Sequence, residues 1–430
     1  MSDKQLKVAF HTLGCKLNFS ETSAIGMKME QAGYLKTSFD DKADVYIIHG
    51  CTVTESADKK CRQAIKKTIR RNPDALIVVA GCYAQIRHKE IAAIEGVDLV
   101  LGTNEKYDIL KYLENRNKRP APELHNCGMN KKSIFNPSYS GNDRTRSFLK
   151  IQDGCDYSCS YCTIPMARGK SRNQPIKECI KDAEEIAGKG IKEIVLTGVN
   201  IGDFGKSSNE SLYGLLKELL NVKGIERYRI SSIEPNLITD EIIKLVADNK
   251  KILPHFHIPL QSGSDKVLAG MRRRYKRETF ASRVEKIRQT IPLAGIGADV
   301  IAGFPGETDD DFNETYRFIQ SLELSYLHVF SYSERKGTPA ASMENKVDNK
   351  TRQSRSKKLQ ALSELKKRQF NKKCTGMEAE ILWESEDPPG RISGFTENYI
   401  RVYTSFDREL EGKISRHILK DTDENGNFTV

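Results

Sequence analysis

Short apolar runs alternate along most of the chain with stretches whose apolar positions recur every three to four residues. These two periods predict strands and helices in turn. From Leu6 to about Asn115 the strand-like runs are LKVAFHTL, ADVYIIH, ALIVVA and VDLVLG, with amphipathic stretches between them. Such alternation predicts βαβ units and a parallel sheet, so residues 1–115 are expected to form an α/β domain. Residues 116–143 are polar, rich in Pro, Asn and Lys, and follow neither period, which predicts a linker.

Six further runs fall between residues 144 and 372: SFLKIQDG, IKEIVLTG, RYRISSIE, HFHIPLQS, GADVIAGF and YLHVFSYS. Helical stretches such as KECIKDAEEIAGKG, DEIIKLVADN and DFNETYRFIQSLE separate them. Six β/α repeats predict an open or partial parallel barrel with its chemistry at the C-terminal ends of the strands. The region closes with a basic helix, NKTRQSRSKKLQALSELKKRQFNKK, carrying Leu359, Leu362 and Leu365 on one side. Residues 373–430 change to short β-like runs (MEAEILWES, RISGFTENYIRVYTS, GKISRHIL), expected to form a small β-barrel docked on a larger domain.

At 430 residues the chain has room for several cores. Its mean hydropathy of −0.55 and the absence of any apolar run near about 20 residues argue against a membrane span. The start, MSDKQLKVAFHT, is too short and strand-like in its apolar part for a secretion signal, so a cytoplasmic location is expected. A net charge of +11 favours a phosphate-bearing partner, with nucleic acid first among them. The 10 cysteines are then expected to be thiols, and metal ligation or catalysis has to explain their spacing.

Three strand-like runs of the first domain end in Gly-Cys: LKVAFHTLGC at Cys15, DVYIIHGC at Cys51 and LIVVAGC at Cys82. Ligands of parallel sheets bind at the carboxyl ends of strands, so these thiols are expected to converge on one edge. Gly14, Gly50 and Gly81 would let the backbone turn sharply or approach a bulky group. Three thiolates can hold a cubane iron–sulfur cluster with one iron open; the plainer reading is three inert buried cysteines. A second set, Cys155-x-x-x-Cys159-x-x-Cys162, follows the first barrel strand. It supplies three local ligands where structural zinc takes four, although Cys127 or Cys179 could complete a zinc site.

The CxxxCxxC motif, with Tyr161 before its last cysteine and a partial β/α barrel behind it, resembles the radical S-adenosylmethionine (SAM) superfamily. That likeness implies a 4Fe-4S cluster whose fourth iron chelates SAM and whose electron cleaves it to a 5'-deoxyadenosyl radical. The full layout is similar to the methylthiotransferases: a three-cysteine domain, a radical SAM core and a C-terminal barrel resembling the TRAM RNA-binding module. The stretches TLGCKLN, GCTVTESADKK, GCYAQ and FLKIQDGCDYSCSYCTIPMARGKSR look most like the branch that adds a methylthio group to C2 of N6-threonylcarbamoyladenosine at position 37 of tRNA. His49-Gly50 stands before Cys51 where the family usually has Asn-Thr. The resemblance implies two 4Fe-4S clusters, one on Cys155, Cys159 and Cys162 and an auxiliary one on Cys15, Cys51 and Cys82 whose open iron carries the sulfur. It implies SAM contacts at Tyr161, Thr197, Gly198, Glu234, Gln261, Ser262, Gly303, Gly306 and Glu307, each of which by itself is only a turn or strand-end residue. It also implies the tRNA anticodon loop, an electron donor and a sulfur source as partners. A C2–H has no useful acidity and no leaving group, so no catalytic acid or base is expected.

His255 and His257 share a strand face, but with no third ligand nearby in sequence they are expected not to bind metal. Cys61, Cys127, Cys179 and Cys374 are expected to be ordinary thiols. Basic clusters at Lys59-Lys60, Lys66-Lys67 with Arg70-Arg71, Arg272 to Arg274 and Lys372-Lys373 suit an RNA footprint. Phe395, Tyr399 and Tyr403, alternating with Arg401, could stack on loop bases or belong to the barrel core. Arg168, Lys170 and Arg172 are placed to touch SAM or a phosphate. Two rivals remain at this stage: the same chemistry on isopentenyl-adenosine or a ribosomal-protein aspartate, and a non-catalytic zinc-stabilised RNA-binding protein.

Overall fold

The computed structural model describes residues 5–114, 118–126, 134–141, 144–386, 389–424 and 426–430. The chain divides into two units: Met1–Asp143 with Phe148–Gln174 and Ser333–Thr338, and Arg144–Ser147 with Pro175–Tyr332 and Pro339–Val430.

The first unit is a parallel sheet of β1 (Lys7–Thr12), β2 (Leu35–Thr37), β3 (Val45–Gly50), β4 (Leu76–Gly81), β5 (Leu99–Leu101) and β6 (Glu123–His125). Their order is β2-β1-β3-β4-β5-β6. Helices α1 (Lys16–Gln31), α2 (Glu55–Arg71), α3 (Cys82–Ala92) and α4 (Ile109–Tyr112) complete it. Alternate residues feed opposite cores: Tyr46, Ile48, Ile77 and Val79 join Ile65 of α2 and Tyr83 of α3. Val45, Ile47, Leu76 and Val78 join Ile25 and Met29 of α1. With both faces covered, β3 and β4 are buried throughout, which is why they read as unbroken apolar runs. The sheet grows one way from β1 to β2 and the other way from β3 onward, so its topological switch point, where ligands of such sheets bind, lies between β1 and β3.

Glu123–His125 falls in the stretch expected to be linker, yet it pairs with β5 as the outer strand. Three residues on a solvated edge are too few to print a period. The unit continues through β7 (Arg146–Lys150), which crosses the boundary, then β8 (Gln152–Asp153), the cysteine loop, α5 (Ile164–Arg168) and β9 (Arg172–Asn173). The Cys155–Cys162 loop therefore groups with the N-terminal sheet, not with the strands that follow it.

The second unit holds β10 (Glu193–Thr197), β11 (Arg227–Ile230), β12 (His255–Gln261), β13 (Gly295–Ala302) and β14 (Tyr326–Ser331). Strands β10 and β11 pair in parallel, as do β12, β13 and β14. Parallel bridges Tyr228–Ile252 and Ser232–His257 link the two sets. With β7, whose first two residues belong to this unit, beside β10, they make the six strands expected of an open barrel. Its helices are α6 (Ile176–Gly188), α7 (Leu212–Leu219), α8 (Asp240–Asp248), α9 (Asp265–Gly270), α10 (Arg277–Thr290), α11 (Asp309–Ser321) and α12 (Asn349–Cys374).

On α12, Leu359, Leu362, Ser363, Lys366 and Phe370 form the buried seam, while Leu365 is exposed, contrary to expectation. Steps of three drift off a 3.6-residue helix, and position 366 takes the inward place. Lys366 is tolerated there because its ammonium donates to the carbonyls of Gln320 and Leu322, both at 2.6 Å, at the end of α11. Residues 378–429 form β15 (Glu378–Glu386), β16 (Arg391–Phe395), β17 (Arg401–Ser405), β18 (Ile414–Ile418), β19 (Asp421–Thr422) and β20 (Phe428–Thr429). They lie in the order β18-β15-β16-β17-β20-β19 over a core of Trp383, Ile381, Val402 and Phe428. Among the described residues no helix is long and apolar enough to cross a membrane.

Candidate metal centre

Gly50 lies directly across from Gly81 in register, so Cys51 and Cys82, the next residues, leave neighbouring strands side by side. The Leu13 N–H donates to the His49 carbonyl at 2.9 Å and carries the end of β1 to the same edge. There a Cβ on Gly14 would lie 2.4 Å from Cys51 Cβ and 2.8 Å from its Sγ, and φ of Gly14 is +108°. Only glycine fits. Gly50 makes no left-handed turn; its small size admits Tyr83, whose Cβ would stand 2.8 Å from an added one.

Burial pushes the Cys51 thiol up to about 12, and the Cys15 and Cys82 sulfurs push the same way. Burial also raises Cys82, against the pull of Arg168 and Lys106. Neighbouring sulfurs thus add to burial in raising Cys51 and Cys82, and cations close by would favour their thiolates. That donor set, with Cys15 exposed and the other two buried, suits a three-thiolate cluster opening to the surface. Cys61 is buried behind it, with its Sγ 3.1 Å from where a Gly50 Cβ would be.

The second set curls on itself. The Cys162 N–H donates to the Cys159 carbonyl at 3.1 Å. Cys155 Sγ accepts from the Tyr157 N–H and Cys162 Sγ from the Ile164 N–H, each at 3.4 Å. Backbone N–H groups aimed at sulfur are a means of stabilising thiolate ligands. Tyr161 is half-buried in this loop.

Between the two sets lies a buried ionic network that the sequence did not announce. Arg168 donates to the Glu21 oxygens at 2.9 and 3.0 Å, to Asp153 at 2.9 Å and to Asn18 at 3.0 Å. Glu21 also accepts from Lys106 at 2.6 Å and Lys150 at 3.0 Å. Asp153 pairs with Lys150 at 2.7 Å and Arg172 at 3.0 Å. Despite burial, Arg168, Lys106 and Lys150 hold Glu21 well below the usual carboxylate range. Burial, aided by Lys106, holds His49 well below the usual histidine range, and its Nδ1 meets Thr22 Oγ1 at 2.8 Å. Four cations face two carboxylates, a buried positive excess that is costly unless an anion lies close by. A thiolate-ligated cluster beside Cys82 is such an anion. Arg168 and Arg172 are thus committed to ion pairs, not held ready for SAM or phosphate as expected, whereas Lys170 is exposed.

In the second unit, the other expected SAM residues gather at the C-terminal ends of β10 to β13. Thr197, with Gly198 after it, ends β10 and bonds the Val195 carbonyl at 3.1 Å. Glu234 pairs with Arg273. Gln261, at φ +64°, follows a bulge in β12. Ser262 meets Thr315 Oγ1 at 3.1 Å, and Glu307 accepts from the Gly303 N–H at 2.9 Å and from Arg355 at 2.7 Å. Ser262 and Glu307 therefore shape these turns, while Gly306, at φ +82°, has open space where a Cβ would be.

Two side chains distant in sequence stand beside His257: Asp299 and His328, with ligand atoms all within 4.8 Å of one another. Those partners are 42 and 71 positions away on neighbouring strands, so local spacing could not find them. His255 instead bonds the Tyr326 hydroxyl at 2.8 Å. Cys179 and Cys374 are buried thiols, and Cys127 lies outside the described residues. Phe395 stacks on Tyr399 at 4.6 Å, Arg401 lies over Phe395, and Tyr399 packs on His255, so these rings are engaged within their own unit.

Residues 7–102 match the family model described as uncharacterized protein family UPF0004, and residues 149–319 match the radical SAM superfamily. Threonylcarbamoyladenosine tRNA methylthiotransferase MtaB of Bacillus subtilis (strain 168) is 43% identical over 417 residues, covering 95% of this chain and 92% of that one. The protein of the same name from Aquifex aeolicus is 40% identical over 96% of this chain and 100% of its own. The tRNA-2-methylthio-N(6)-dimethylallyladenosine synthase of Natranaerobius thermophilus is 33% identical, over 94% and 92%. Among solved structures, the radical SAM methyltransferase TsrM from Kitasatospora setae superposes with a TM-score of 0.55 over 79% of this chain and 75% of its own, at 14% identity, a likeness of fold alone.

Proposed function

The chain belongs to the threonylcarbamoyladenosine tRNA methylthiotransferase family of radical SAM enzymes, and from that membership we propose how its residues divide the work. The enzyme adds a methylthio group to N6-threonylcarbamoyladenosine in tRNA, with SAM and two 4Fe-4S clusters as cofactors. Cys155, Cys159 and Cys162 hold the SAM-binding cluster, and Cys15, Cys51 and Cys82 hold the auxiliary one. When bound, these groups supply one-electron cleavage of SAM and a place for the sulfur to be transferred.

The protein's own contribution is to hold and to balance. Gly14 and Gly50 let the strand ends close around the three thiols. The Tyr157 and Ile164 N–H groups steady the loop sulfurs. The positive excess around Arg168 offsets thiolate charge. The observation that carries the reading is that both three-cysteine sets lie in one unit with that network between them. The strand-end residues from Thr197 to Glu307 position SAM. The sheet of residues 373–430 serves as a TRAM-like module that, with the basic clusters, receives the anticodon loop around position 37. Residues 1–115 and 144–372 are the auxiliary-cluster domain and the radical SAM core. An electron donor, a sulfur source and a cytoplasmic setting complete the proposal.

Two cubanes should give about eight irons and eight acid-labile sulfides per chain after anaerobic purification. Cys155→Ala and Cys51→Ala should each remove about half. Zinc without sulfide overturns the reading in favour of a zinc-stabilised RNA-binding protein.

A further inference from the structure

One face of β12, β13 and β14 carries a polar group, His257, Asp299 and His328, apart from both cysteine sets. In β12, β13 and β14, Phe256, Ile258, Val300 and Leu327 are buried. The alternate residues His257, Asp299, His328 and Phe330 face the opposite, concave side and are partly exposed. Asp299 stands beside His328 in register. Its Oδ1 accepts from His257 Nε2 at 2.9 Å and lies 3.4 Å from His328 Nδ1. Tyr326, bonded to His255, forms a floor: it lies so close over Gly297 that a Cβ there would come within 2.2 Å of its ring. Nearer the C-terminal rim, Phe330 presents a ring that is 42% exposed.

We propose that His328, oriented by Asp299 and His257, receives the carboxylate of the threonylcarbamoyl substituent while Phe330 packs against the adenine that bears it. This inference rests on the substrate reading above. Three observations support it. Asp299 faces the Nδ1 edge of His328, which leaves the Nε2 edge turned outward. That side chain is 52% exposed, and Nε2 makes no bond among the described residues. Phe330 and His328 lie two residues apart on one strand face, about 6–7 Å, a span suited to a base and the anionic end of its N6 substituent.

The arrangement also accounts for selectivity. A dimethylallyl group offers nothing to His328 and would cover a polar triad without pairing it. Sites built to hydrogen-bond a substrate group reject the analogue lacking it far more strongly than apolar pockets reject an added one. Two imidazoles and a carboxylate also make a metal-binding set. Here, however, the carboxylate already takes hydrogen bonds that a metal would have to displace.

The test uses the cluster-loaded enzyme and one tRNA in two forms, with the threonyl carboxylate free and as its methyl ester. The wild type should show at least a tenfold higher kcat/KM on the free acid. In H328L that preference should collapse to within about twofold, and D299N should fall between, while iron, sulfide and the unfolding midpoint stay at wild-type values. An H328L enzyme that keeps the tenfold preference overturns the proposal. So does a stoichiometric non-iron metal that is lost in D299N and H328L. A wild type that modifies dimethylallyladenosine tRNA in preference to either form overturns the substrate reading itself, a result the first comparison does not mimic.

Discussion

Arg168 joins the helix that follows Cys15 to the loop that carries the second cysteine set, through Glu21 and Asn18 on one side and Asp153 on the other. Arg168 makes four hydrogen bonds in this network, and Lys106 and Lys150 still face Glu21 without it, so its loss costs about 1.5–3 kcal/mol through bonds to charged groups. Arg168→Met should therefore destabilise the first unit by about that much in urea unfolding followed by circular dichroism. The cysteines were legible because Gly-Cys at strand ends and CxxxCxxC are local patterns. Arg168 and Glu21 were not, since 147 positions separate them and a lone Glu or Lys in a sequence reads as surface. The same holds for Asp299 and His328.

At the scale of elements, the long apolar runs gave the central strands, whereas β2 and β6, three residues each at the sheet edges, carried too little pattern. Helix α11 shows what a local signal can do. Thr308 and Asp311 form a reciprocal cap over its first turn. Thr308→Ala should cost about 1 kcal/mol in thermal or chemical unfolding. Although burial pushes the other way, Lys266 and Thr308 hold the Asp311 carboxyl down to about 2 from an ordinary 3.8. Because the folded value is the lower one, this contribution is present above pH 3.8 and is lost as pH falls from there toward 2. Asp311→Asn should flatten the acid limb of stability in that window, with little change in its slope at neutral pH.

Across the whole molecule, sequence patterning suggested successive domains, but the chain is interleaved. Ser333–Thr338 returns to the first unit after the barrel strands are complete. Arg335 there donates to Asp58 at 2.5 Å and to Thr52 at 2.6 Å, all of them buried. No local period can report a six-residue return. Arg335→Met should lower the first unit's stability by about 3–5 kcal/mol, and adding Asp58→Asn should restore much of it. Trp383, the chain's one Trp, sits in the C-terminal sheet, so its fluorescence follows that sheet and serves as the internal control.

The same return sets an order of events during synthesis. Asp58 leaves the ribosome 277 residues ahead of Arg335. At about 5–20 residues per second that is a wait of about 14–55 s. Through that interval the nascent first unit lacks its last segment, and Asp58 has to keep its water. A fragment released before residue 333 lacks Arg335 and cannot close over Asp58. Completion of the N-terminal unit is thus timed by the translation of the barrel.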